Sequence, residues 1–350
     1  MVALLGLGGF LLAFPMEVTE AASDAIVRCL TIIIPSLFAF MVLATYLLES
    51  GVYVYVAKPF SWLARFVLRL DARRFTILMM GTLGGYPVGA KLMAPLVERG
   101  ELSRRDAARL LCCCTMGGPS YLVSIVGAQL YGAVWPGMLL YVSMLLAHLL
   151  LAVFLAWGEP LPSKSPPISS HSSSAGGVIG AVNSTTAALA RICPLILLTQ
   201  VLLVALDKAR LLPMGVAALR QFTTFTQQDA DAILRSFFEI SNCVSLTKGN
   251  LSILPLLAAI SAFGGICVML QVAGTSRGQI PLGMYMATRP LVAVLSAGIC
   301  QGLMMLMGDS VMVWSSKTPT ISSGSVSPAA SLLLLILTVL LLFSTRRAEE

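Results

Sequence analysis

The polar groups that could do chemistry in this chain are few, and they lie inside long apolar runs. Lys91 follows the glycine-rich stretch Gly81–Gly89, Gln271 follows the pair Gly264 and Gly265, and Glu239 precedes Asn242 in the stretch FEISN. A lysine in an apolar segment is costly and usually faces a partner or a cavity. Lys91 therefore reads as a charge at a solute site or gate, or as a side chain snorkelling to headgroups. Glu239, beside Ser241 and Asn242, reads either as a ligand for a cation or polar solute or as a helix end at the water boundary. Gln271 can both donate and accept. There is no nucleophile–base pair, phosphate loop or metal-ligand spacing. The reading is a non-enzyme with no catalytic residue, no metal site and no cofactor.

Backbone breaks supply a second kind of chemistry. The residue before a proline avoids the helical region, whereas proline suits a first helical turn. The chain should therefore break at Gly84–Tyr86, with Pro87 starting a new half-helix. The free amides and positive end of that half-helix suit an anionic or carbonyl-bearing solute. Gly81, Gly85 and Gly89, four apart, would form a bare ridge for close helix approach if the helix ran on. The candidate substrate-binding set is Gly84, Gly85, Pro87, Lys91, Glu239, Asn242, Gly264, Gly265 and Gln271. Thr115–Tyr121 (TMGGPSY) is a further irregular stretch.

The elements that must position these residues are membrane helices. Of 350 residues 57% are apolar and 11% charged, the net charge is +7, and the mean hydropathy is +0.88. A soluble domain carries about 25% charged residues, so a cytosolic enzyme, a nucleic-acid binder and a disordered regulator are excluded. Apolar runs cover 2–14, 25–48, 75–97, 121–157, 178–206, 251–272, 280–307 and 329–343. The run 2–14 lacks the basic lead of a secretory signal and reads as a retained membrane segment. Pro35 and Pro194 puncture two runs, and paired glycines puncture two more. Such breaks are tolerated at membrane depth only inside protein or along a wet cavity, and they are the usual device of secondary transporters. The eight cysteines, without any CxxC pair, read as small buried hydrophobes.

The Pro- and Ser-rich stretch 158–177 reads as a linker. It divides an N-terminal membrane half, 1–157, from a C-terminal one, 178–350, whose last helix is 329–343. Basic residues flank 75–97 on both sides, from Lys58 to Arg74 and from Arg99 to Arg109. The positive-inside tendency then puts both flanks in the cytoplasm, which a re-entrant hairpin satisfies and a simple span does not. Arg346 and Arg347 place the C-terminus on that side too. The halves echo one another: aligning Leu83–Leu92 (LGGYPVGAKL) with Phe263–Val272 (FGGICVMLQV) sets Lys91 opposite Gln271 and puts a second hairpin near 251–273. Segments 52–70, 102–111 and 229–242 read as amphipathic helices at the membrane interface, the second with Ser103 capping ahead of Asp106.

GYPVGAKLMAPLVERGELSRRDAARLL, followed by CCCTMGGPSYLV, resembles the hallmark of bacterial membrane proteins with nucleoside-recognition or Gate domains, in particular the YlbJ-like sporulation integral membrane proteins. PSLFAF, FEISN and FGGICVMLQV match in the same order, from about Ser23 to Met307. The resemblance implies a polytopic inner-membrane protein of spore-forming bacteria, without an established substrate. Where relatives carry an Asn-containing stretch before Gly-Pro, this chain has Thr115 and Met116, which alters any contact made there. The expected protein is all-α and polytopic, with two weakly similar halves, discontinuous helices and re-entrant helical hairpins. Its expected partners are the lipid bilayer and an unknown small polar solute, with a possible homo-oligomer and no nucleic acid. A carrier is the first reading and a non-transporting scaffold for spore-envelope assembly the second.

Overall fold

The computed structural model describes residues 2–161 and 174–307, and every regular element within them is helical. The expected helix 329–343 and most of the linker 158–177 lie outside the described residues.

α1 (Val2–Ala13) and α2 (Pro15–Arg28) meet at Phe14, with Pro15 in the first turn, where its missing N–H does no harm. A π-helical turn, Cys29–Ile33, joins α2 to α3 (Ile34–Glu49). Pro35 therefore does not end the run: the wider turn before it absorbs the lost hydrogen bond. Pro194 is likewise carried inside the continuous α9 (Ser174–Lys208). Between Tyr53 and Val67 the chain winds through α4 (Tyr53–Ala57) and two short irregular turns. Tyr55, Phe60, Trp62 and Phe66 are exposed there beside Lys58 and Arg65, the composition of an interfacial segment.

α5 (Ala72–Gly84) and α6 (Val88–Glu98) form a helical hairpin. The break falls where glycine and proline put it, with Gly85 at φ 100°, a conformation that side chains rarely adopt. An ion pair of 2.5 Å from Arg73 to Glu101 closes the hairpin's base. The glycine ridge is shared between the two arms: a Cβ on Gly81 or on Gly89 would lie 2.7 or 2.2 Å from the Cys114 side chain of α7 (Arg104–Cys114). Ser103 caps α7 as expected, accepting from the Asp106 amide. α7 does not lie along the interface, since seven of its residues, from Ala107 to Cys114, are buried. After the irregular Thr115–Pro119, a π-helical stretch, Ser120–Leu130, continues to the far face, and α8 (Val134–Ala156) returns.

The second half corrects the expected hairpin near 251–273. α12 (Leu254–Phe263) and α13 (Gly265–Ser276) do not fold back on one another. Ahead of α12, the Gly249 amide donates to Leu130 O at 3.1 Å; after α13, Arg104 donates to Gly278 O at 3.0 Å. Leu130 and Arg104 stand at opposite ends of the path from α7, so Leu251–Ser276 crosses the molecule as one helix broken at Gly264. The second hairpin lies earlier, in α11 (Gln227–Phe238) and the short 3₁₀ helix Ile240–Ser245, with Glu239 at its turn. Asp229 at its base is capped by Thr226 and accepts from the Thr247 amide at 2.8 Å. Residues 229–242 are thus not an interfacial helix. α10 (Leu211–Phe222), with Leu211, Met214 and Phe222 exposed, lies just before this hairpin.

Among the described residues five stretches are long and apolar enough to cross a membrane: Pro15–Glu49, Val134–Ala156, Gly177–Lys208, Leu251–Ser276 and α14 (Gly283–Met307). Leu150, Phe154, Val294 and Leu306 are exposed on two of them, as lipid contact demands. All eight cysteines are free, seven of them buried and Cys193 half-buried.

Among the described residues, backbone approaches backbone most closely at Gly137, where a Cβ would stand 2.2 Å from Leu122 O and 2.7 Å from the Val123 Cα. Gly137→Val should cost at least the 1–3 kcal/mol of an overpacked core, read as a lower melting temperature in detergent. Gly302→Ala, with nothing within 4 Å, should melt with the wild type.

Candidate functional site

The two hairpin turns and the two broken helices meet in the interior. Gly118 rests on the first hairpin's turn: a Cβ there would lie 3.1 Å from Leu83 O and 3.2 Å from Gly85 N. Gly265, at φ 77°, presses in the same way on the end of α11, with Phe237 O at 3.0 Å. The halves are then stitched across. Tyr86, in the first turn, donates to Ser261 O of α12 at 2.8 Å. Tyr121 donates to Ile240 O beyond the second turn at 3.2 Å. Gly84, Gly85 and Pro87 are thus brought near Gly264, whose Cβ would stand 3.6 Å from the Tyr86 ring, but as a packed contact.

The residue that secures this crossing is Arg289 of α14, fully buried and absent from the candidates read in the sequence. Its guanidinium donates to Cys112 O at 2.5 Å and Thr115 O at 2.9 Å, at the end of α7, and to Ala262 O at 3.3 Å, at the end of α12. Among the described residues no carboxylate pairs with it. A helix C-terminus carries roughly half a unit of negative charge. Two such ends therefore offset roughly one guanidinium, which is how this charge is held inside without an acid. The Tyr285 ring adds a cation–π face at 4.6 Å. His148 packs beside the guanidinium, with Nδ1 2.7 Å from Met144 O and Nε2 3.1 Å from Thr115 O and 3.4 Å from Arg289. The sequence signal was an arginine nine residues into the apolar run 280–307.

Glu239 and Asn242 form a separate polar cluster. Glu239 is buried and accepts from the Ser241 amide at 3.2 Å. The Asn242 Oδ1 accepts from Arg28 at 2.9 Å and Gln200 at 3.4 Å, and its amide donates back to Glu239 O at 3.0 Å. The cluster ties the second turn to α2 and α9. Among the described residues, Gln271 reaches only the Cys267 sulfur, one turn back, at 3.3 Å. Its expected equivalence to Lys91 does not hold by element, because Lys91 lies on a hairpin arm and Gln271 on a broken span.

Lys91 sits elsewhere again, at the floor of a cavity of about 460 Å³ bounded by α3, α6, α9 and the end of α13. Its ammonium donates to Thr45 at 2.5 Å and Thr185 at 2.7 Å, so it does not snorkel to water. Arg73, Arg99 and Glu101 stand at the rim. The Arg99 hydrogen bond, against partial burial and with help from Arg73, holds the Glu101 carboxyl below the usual carboxylate range. This bridge contributes stability above the ordinary carboxylate pKa and loses it as pH falls through the lowered value. The nine candidates thus occupy a packed crossing, a polar cluster, a cavity and one isolated glutamine.

Removing Arg289 strands three buried carbonyls. Arg289→Met should destabilise the protein by about 3 kcal/mol or more, measured as melting in detergent. Melting with the wild type would refute its helix-end role.

The chain aligns with the sporulation integral membrane protein YlbJ of Bacillus subtilis (strain 168), 26% identical over 316 residues, a match covering 82% of this chain and 77% of the relative. No family model matches the chain, and no solved structure matches it. It is an integral membrane protein related to that sporulation protein.

Proposed function

We propose that this protein is a multi-pass carrier or permease-like protein of the bacterial cell (inner) membrane, moving a small polar solute with a role in sporulation. The supporting observation is the cavity of about 460 Å³ over the buried Lys91. That volume falls in the ordinary range for small ligands, about 300–1,000 Å³. Backbone breaks in hairpins and spans accord with a transporter's discontinuous helices. Each half runs hairpin, broken span, straight span, and the hairpins have their bases on opposite faces, at Arg73–Glu101 and Asp229–Thr247. This order favours an inverted repeat that pairs Gly118 with Gly265. The arginine-rich face, from Arg73 to Arg109 with Arg277, suits the cytoplasm. The relative's name favours sporulation, and the resemblance of GYPVGAKL favours a Gate-type unit.

A scaffold for spore-envelope assembly is the second reading. It is favoured by Tyr86, Tyr121 and Arg289, which occupy the break carbonyls that a solute would otherwise find.

Proteoliposome uptake of a panel of nucleosides, amino acids, dicarboxylates and phosphate separates the two. A carrier gives saturable uptake of at least one solute, and Lys91→Ala abolishes it with little loss of melting temperature. Absence of uptake, with normal sporulation in a Lys91→Ala strain, leaves the scaffold. In a cysteine-free background, cysteine at Glu101 should label from the inside and cysteine at Lys248 from the outside; labelling of both from one side would overturn the two-face topology.

A further inference from the structure

The cavity's charge is unbalanced. Five cations line it, Lys91, Arg73, Arg99, Arg191 and Arg277, against the two carboxylates Glu49 and Glu101. Glu101 is committed at 2.5 Å to both Arg73 and Arg99. Arg191 and Arg277 make no ion pair among the described residues, and Lys91 has only neutral oxygen partners. Field lines from an excess of cations are focused by low-dielectric walls, which concentrates anions in such a cleft.

Two further observations point to a ligand. Thr275 is among the residues lining the cavity, is buried at 5% exposure, and its hydroxyl, enclosed just behind that wall, has no hydrogen-bond partner among the described residues. A buried hydroxyl without a partner is penalised, and an anion's oxygens would accept its proton. Arg277 stands after α13 at φ 50°, in the left-handed region where helix ends usually place glycine. A glycine follows immediately at 278. An arginine is thus held in a conformation unfavourable to any side chain, at a position that lines this cavity.

We propose that the cavity is an anion site, binding a carboxylate- or phosphate-bearing group between Lys91, Thr275, Arg191 and Arg277. The inference rests on the carrier reading only for what happens next: on that reading the transported solute is an anion. Leu48, Leu92 and Ala188 supply an apolar wall for the rest of the molecule. A free solute and an anionic lipid headgroup share this chemistry.

The test uses the full chain, lipid-stripped in detergent, titrated with inorganic phosphate, citrate and malonate, with neutral inositol and ribose as controls. A parallel arm compares nanodiscs of phosphatidylcholine with nanodiscs containing phosphatidylglycerol. At least one free anion should raise the melting temperature saturably and the neutral controls should not. Arg277→Gln, at the exposed rim, and Lys91→Gln should each weaken binding about tenfold or more, and Thr275→Val should weaken it less. Stabilisation by phosphatidylglycerol alone, lost in Arg277→Gln, assigns the same site to a headgroup. Binding of neutral solutes instead, binding unchanged in both charge variants, or no stabilisation in either arm overturns the proposal. Uptake separates the two readings. Anion binding without transport leaves the site and removes the carrier. Transport of a neutral solute leaves the carrier and removes the site.

Discussion

One buried cation holds this architecture together. A guanidinium in a low-dielectric interior demands several kcal/mol of compensation, and Arg289 obtains it from carbonyls rather than from an acid. Those carbonyls exist because α7 and α12 stop short. In lipid a stopped helix is untenable unless its last carbonyls find donors. Each problem solves the other: the helix ends neutralise the charge and the charge caps the helix ends. Neither the breaks nor the arginine would be stable alone, which explains why they occur together at one depth.

From that centre the rest of the layout follows. The glycines at the breaks let the hairpin turns approach to backbone contact, as Gly118 does against Leu83–Gly85 and Gly265 against the end of α11. Tyr86 and Tyr121 then join one half to the other through single hydrogen bonds to carbonyls. With the middle so closely packed, open volume is displaced to one side, between α3, α6 and α9. There Lys91 is held by two threonines from different helices, Thr45 and Thr185. Interior and cavity therefore divide the work: one fixes the helices, the other leaves charge accessible.

What could be read from the sequence was local. Gly85 and Pro87 impose their turn through backbone sterics alone, and Ser103 caps α7 through a contact three residues long. Apolar length located the spans. What failed was pairing at a distance. QQDADAILRSFF is polar enough to pass for a surface helix, yet α11 is a hairpin arm whose Asp229 and Ser236 find partners inside. FGGICVMLQV looked like the counterpart of LGGYPVGAKL because both carry paired glycines, but glycine pairs mark close approach of any kind. Gly265 packs against the end of a hairpin arm, as Gly118 packs against a hairpin turn, whereas Gly84 and Gly85 form a turn themselves. Arg289 was missed because its partners lie 27 to 177 residues away, a distance that no spacing rule reaches.

The π-helical stretch Ser120–Leu130 has a mechanical consequence. A π-turn takes in more chain than an α-turn and rises less for each residue. Eleven residues wound this way are a coiled reserve of length between a fixed inner end, pinned at Gly118, and an outer end that touches Gly249. Rewinding them as ordinary helix would push the outer end away from the centre without adding a residue. That thrust would reach the second hairpin's base only if Gly137 slid past Leu122 and Val123, so the closest helix contact is the latch on this reserve of chain.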